Sequence, residues 1–159
     1  MGRATSSVMQ AQANKPKPDT GPYIGDVMLH YVIRPEDFKH TQAIIVSGDG
    51  WNMCGHALLH VGPGWFFHVA GLHDRPRFMR KKGYQRYLRE NEKREICRTT
   101  VHIPDIFGAH RKLLDAVSRQ WLWLMLPNKC ATLVEQIVQA GGSRAGLYFN
   151  CPNAEKFAP

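Results

Sequence analysis

The chain has 159 residues, 43% of them hydrophobic, and a formal net charge of +8. That length suits one domain with a buried core. No apolar run reaches the ~20 residues that span a bilayer: the strongest, residues 121–126, is short and closed by Pro127. The expectation is a soluble globular protein with no transmembrane anchor.

Residues 1–22 are rich in Ser, Ala, Gln, Lys and Pro and contain no apolar h-region, so they read as a flexible leader and not as a cleaved secretory signal. The expected location is the cytoplasm of the producing cell, with any export through a signal-independent route. The ordered domain is expected over residues 23–159.

Within it, the apolar run 27–33, opened by Gly25-Asp26 and closed by Pro35, suits a first strand. Residues 43–46 suit a second, ended by the turn signal Ser47-Gly48-Asp49-Gly50. Residues 56–61 and 65–70 flank Gly62-Pro63-Gly64, the signature of an antiparallel hairpin. The period of two puts Cys54, His56, Leu58 and His60 on one face, with Ala57, Leu59 and Val61 on the other.

Residues 78–95 predict a helix interrupted near Gly83, and 96–103 a strand ended by Pro104. Asp105 is placed to cap a helix carrying Leu113, Leu114, Val117 and Trp121 at helical spacing. After the break at Pro127-Asn128-Lys129, Cys130 opens a further helix with the apolar stripe Leu133, Val134, Ile137 and Val138, ended by Gly141-Gly142. Residues 147–159 suggest a short strand and a tail. The inventory is α+β, a small antiparallel sheet packed with helices.

Arg77, Arg80, Lys81, Lys82, Arg86, Arg89, Lys93 and Arg94 cluster in one stretch, partly neutralised by Glu90, Glu92 and Glu95. A solvated helix face is the plain reading; the functional one is attraction to an anionic polymer. No motif for specific nucleic-acid recognition is present. Cys54, Cys97, Cys130 and Cys151 form no CxxC pair, which favours free thiols. A disulfide between Cys130 and Cys151 would block the chemistry below.

A thiol becomes a strong nucleophile as the thiolate, favoured by a helix N-terminus and by an imidazole that takes its proton. Cys130 meets the first condition, and its backbone N–H is placed to stabilise an oxyanion. His56 meets the second if its strand packs beside that helix. His68, on the next strand of the hairpin, is positioned to fix the tautomer of His56.

The string from His56 to His68 (His-Ala-Leu-Leu-His-Val-Gly-Pro-Gly-Trp-Phe-Phe-His) resembles the strand–turn–strand of NlpC/P60-type papain-like enzymes. Asn128-Lys129-Cys130-Ala131-Thr132-Leu133-Val134 resembles their nucleophile helix. The order His, His, Cys is similar to the circularly permuted branch, which includes lecithin:retinol acyltransferase-like and YiiX-like proteins. Gly25-Asp26-Val27 matches its opening strand.

The resemblance implies a permuted papain-like fold, with Cys130 as nucleophile, His56 as general base and His68 as orienting residue, and it implies no cofactor. Lys129 stands where that branch often has Asn, and residues 39–52 are an extra segment. His40 imitates the histidine-strand pattern, but Asn52 occupies the offset that His68 fills for His56.

The implied activity is cysteine-dependent amide or peptide hydrolysis through an acyl-enzyme, with peptidoglycan peptide the leading substrate. A bacterial effector or toxin, with an immunity or inhibitor partner, fits a compact leaderless enzyme of this type. Lipid acyl transfer or phospholipase action at the same Cys–His site is the alternative. Outside enzymes, a basic binding module remains open, as does a metal site of Cys54, His56, His60 and His68; the latter has weak ligand spacing.

Overall fold

A computed structural model describes residues 21–30, 32–48, 55–70, 75–118 and 129–144, with the backbone alone for 129–131. Residues 1–20 of the expected leader, Cys54, Trp121, Cys151 and the expected C-terminal strand lie outside the described residues.

Five antiparallel strands form one sheet in the order β4-β3-β2-β1-β5: β1 (Thr41–Val46), β2 (His56–Val61), β3 (Trp65–His68), β4 (Arg77–Met79) and β5 (Glu95–Val101). Three helices complete the described α+β unit: α1 (Lys81–Glu90), α2 (Ile106–Ser118) and α3 (Lys129–Ala140). None of the described helices is long and apolar enough to cross a membrane.

Alternation along β2 divides the core in two. Ala57, Leu59 and Val61 join Ala43, Ile45 and Phe67 beneath α2 and α3, where Leu113, Leu133, Val134, Ile137 and Val138 are fully buried. Leu58, with Ile44, Val46 and Phe66, packs on the opposite face against Tyr84 and Tyr87 of α1. A one-residue register slip would exchange these sets, so the two-sided burial fixes the pairing.

The expected helix boundaries at α2 and α3 are present as hydrogen bonds. Asp105 Oδ1 accepts from the Gly108 N–H at 3.0 Å, the bond of an N-cap. At the end of α3, Gly142 (φ 82°) donates to the Gln139 carbonyl and Ser143 to that of Val138, the paired bonds of a Schellman turn.

Two expectations are corrected. The described residues of the expected first strand, 27–30, 32 and 33, form no strand: Asp26 makes a single bridge to Phe78, and Met28 and Ile33 are buried while Leu29 and Val32 are exposed. His110 Nε2–H donates to the Ile33 carbonyl, and a 3-10 turn (Pro35–Lys39) follows. The expected helix over 78–95 is shorter at both ends. Arg77–Met79 is edge strand β4, because Phe67 and Phe66 pair with Phe78 and Met79; α1 then runs uninterrupted through Gly83.

Urea unfolding tests the cap. Asp105→Ala is expected to lose about 1 kcal/mol of stability, whereas Asp105→Asn, which retains a capping oxygen, keeps most of it.

Candidate active site

His56 is the first residue of β2 and His68 the last of β3, and the two strands are hydrogen-bonded neighbours. Both side chains project to the α1 face. His56 Nε2 lies 2.7 Å from His68 Nδ1, and His68 Nε2 lies 2.7 Å from the Ile24 carbonyl oxygen.

That carbonyl is only an acceptor, so His68 carries its proton on Nε2. His68 Nδ1 is then the acceptor, His56 must donate from Nε2, and the lone pair of His56 is left on Nδ1. The chain of bonds sets both tautomers.

The Ile24 carbonyl is held in place from several sides. The Tyr23 N–H donates to Glu90, Asn91 Nδ2 donates to the Tyr23 carbonyl, and Arg77 donates to the Gly25 carbonyl. Gly25 has φ 104°, and a Cβ there would meet the Arg77 Cβ at 3.0 Å and the Phe78 carbonyl at 3.1 Å, so the bend needs glycine.

His68 is 1% exposed and packs edge-on against Tyr87 at 5.0 Å. A cavity of about 200 Å³ opens beside the pair, walled by Ile24, Ala70, Tyr87, Asn91 and Lys93. The Lys93 ammonium is bonded to the Ser47 carbonyl at 3.0 Å.

Burial first, then the positive charge available to His68 and that of Lys93, hold the pKa of His56 well below the usual imidazole value. By surface area the ring is only half-buried. The dense surround of Tyr87, His68 and Lys93 still strips it of water enough to disfavour the cation. A neutral His56 is the form that accepts a proton.

Cys130 is in the first turn of α3, as the break at Pro127 predicts; its side chain lies outside the described residues. Helix α3 packs on β2, but on the Ala57–Leu59–Val61 face, opposite the His56 imidazole. Its C-terminal end is tied to the Val101 end of the sheet by the bond from Asp105 N–H to the Gly141 carbonyl. Val101 is level with Thr41 and Val61, whereas His56 is level with Val46 at the other end. Twelve residues of helix cover about 18 Å, enough to carry the first turn along the length of β2.

Among the described residues, His40 and His60 are not drawn in. His40 is exposed at the end of the 3-10 turn. His60 stacks on Phe66 and bonds to Gln42, apart from the pair. Among the described residues no group of three His, Cys, Asp or Glu could hold a metal ion, and Cys54 is outside them. Cys97 is a free thiol on β5. Sequence reasoning missed the Ile24 carbonyl and the Tyr87, Asn91 and Lys93 walls, since nothing local to His68 signals a partner 44 positions earlier.

The depressed pKa has a stability consequence with a definite sign. In the unfolded chain His56 takes up a proton as pH falls through about 6.5, while folded His56 resists until much lower pH. Its contribution to stability is full above that pH and is lost progressively as pH falls toward the folded pKa. Equilibrium unfolding between pH 7 and 5 is expected to show a steeper loss in wild type than in His56→Asn.

No family model, no curated protein and no solved structure matches this chain.

Proposed function

We propose that the protein is a cysteine-dependent amidase or peptidase of permuted papain-like (NlpC/P60) topology, with Cys130 as nucleophile, His56 as general base and His68 as the residue that orients it. The carrying observation is the bond chain His56–His68–Ile24, which leaves the lone pair of the base on Nδ1. The position of Cys130 in the first turn of α3 supports the reading, because a helix N-terminus favours a thiolate. Helix α3 packs on the face of β2 opposite His56, so the proposed encounter of the two groups is round the end of the sheet where β2 begins.

In the mechanism, His56 Nδ1 takes the proton of the Cys130 thiol, and the thiolate attacks the carbonyl carbon of the substrate amide. The Cys130 backbone N–H stabilises the oxyanion. The tetrahedral adduct collapses, the C–N bond breaks, and the proton on His56 passes to the departing amine. Water, deprotonated by His56, then attacks the thioester, releasing the carboxylic acid and restoring the thiol.

Substrate preference follows from charge. Arg80, Lys81, Lys82, Arg86 and Arg89 are exposed on or beside α1, the helix flanking the histidine cavity. Such a face favours a carboxylate-bearing polymer, and peptidoglycan peptide is the leading substrate, acted on by an exported effector that has an immunity partner. The same basic face also suits an anionic lipid surface, which keeps lipid acyl hydrolysis or transfer as the second reading.

Purified sacculi and anionic vesicles separate the readings. The expected result is release of new amines from sacculi, falling by at least about a hundredfold in Cys130→Ala and in His56→Ala. Fatty acid release from vesicles, lost in the same variants, assigns the lipid reading. Undiminished activity in Cys130→Ala contradicts both.

A further inference from the structure

Asn91 closes the C-terminal end of α1, and its carboxamide is locked in one orientation. Nδ2 donates to the Tyr23 carbonyl and to the Tyr87 carbonyl, each at 2.8 Å. Both partners are acceptors only, so the doubly bonded atom is the nitrogen and both of its hydrogens are spent. Oδ1 remains as an acceptor, and no donor among the described residues reaches it.

His60 Nε2 is the one side-chain nitrogen or oxygen among the described residues that is both sealed from solvent and unbonded. Asn91 Oδ1 is therefore open to solvent. So is His56 Nδ1, because that ring is hydrogen-bonded through Nε2 alone. Asn91 and His56 wall the same cavity of about 200 Å³, which is room for several waters at ~30 Å³ each. Two open acceptors thus face one small space.

A ligand that meets two acceptors must bring hydrogen. An ammonium is a poor choice, since Lys93 stands in the same wall and its charge already works against a proton on His56. A neutral amide N–H suits both the acceptors and the field.

We propose that Asn91 is a specificity-determining residue of the His56 site: its Oδ1 accepts the N–H of the scissile amide and so selects leaving groups that are nitrogens bearing hydrogen. The inference rests on the reading of His56 as the general base. With its N–H held by Asn91, the amide nitrogen is fixed beside the imidazole that returns a proton as the C–N bond breaks. An ester oxygen has no hydrogen to offer and leaves Oδ1 unpaired in the complex. Primary and secondary amides are therefore favoured, and tertiary amides, the bond before proline among them, are disfavoured together with esters.

The test uses the full chain as Cys130→Ala, which binds without turnover, and three ligands whose common acyl group carries no N–H of its own: N-methylbutanamide, N,N-dimethylbutanamide and methyl butanoate. Affinities and the Asn91 side-chain carbonyl 13C resonance are read by NMR. N-methylbutanamide is expected to bind about fivefold or more tighter than the other two, and it alone moves the Asn91 resonance. In Asn91→Ala the three affinities converge. That variant also loses the bonds to Tyr23 and Tyr87, so if it does not fold the ligand series on the parent chain decides. Equal affinities for the three, no saturable binding of N-methylbutanamide, or an Asn91 resonance that responds alike to amide and ester overturns the inference. Binding that depends on the N–H, by a chain that releases no amine from sacculi, refutes the cysteine-hydrolase reading alone. Amine release with equal affinities refutes the role of Asn91 alone.

Discussion

The bond from His68 Nε2–H to the Ile24 carbonyl is the constraint on which the site depends. Without it the two imidazoles could exchange tautomers, and either nitrogen of His56 could hold the proton. With it, one carbonyl oxygen dictates the protonation of two rings in series. Neutral relays of this kind are individually modest, about 0.5–1.5 kcal/mol net for each bond. Their value here is directional, because they decide which nitrogen is a base. A carboxylate in place of the carbonyl would raise the pKa of the pair; the peptide oxygen orients the rings and adds no formal negative charge.

That carbonyl is available because residues 23–26 do not form a full strand. They are pinned between α1 and β4 by Glu90, Asn91, Arg77 and the Asp26–Phe78 bridge. Helix α1 therefore has two tasks. Its Tyr84 and Tyr87 close one face of the sheet, and its C-terminal end holds the segment that orients the histidines. The other face is closed by α2 and α3, and Cys130, the proposed nucleophile, is in the first turn of α3. The sheet lies between the two groups, so the proposed chemistry belongs to the end of β2, where His56 begins the strand.

Much of this was legible in the residues. The hairpin, the alternation of β2, the Asp105 cap, the α3 stripe and its glycine ending all rest on local chemistry: turn residues, side-chain period and capping oxygens. The pairing of His56 with His68 was legible too, since a turn of fixed length brings them onto neighbouring strands. The failures are non-local. Residues 27–33 carry strand-like composition, but the bridge to Phe78 stops at Asp26 and the Ile33 carbonyl is taken by His110. Arg77–Met79 looks like the start of a helix until β3 supplies an edge. The faces of the sheet on which α1 and α3 pack cannot be read from either helix alone, because each presents an adequate apolar stripe.

The proposed transfer of the Cys130 thiol proton to His56 Nδ1 is read by the pH dependence of Cys130 alkylation by iodoacetamide, followed by mass spectrometry. Alkylation at neutral pH is expected to be faster in wild type than in His56→Gln, because the neutral imidazole takes up the thiol proton as the sulfur reacts. A Cys130 that alkylates as a free thiol in wild type, or whose profile is indifferent to His56→Gln, would contradict it.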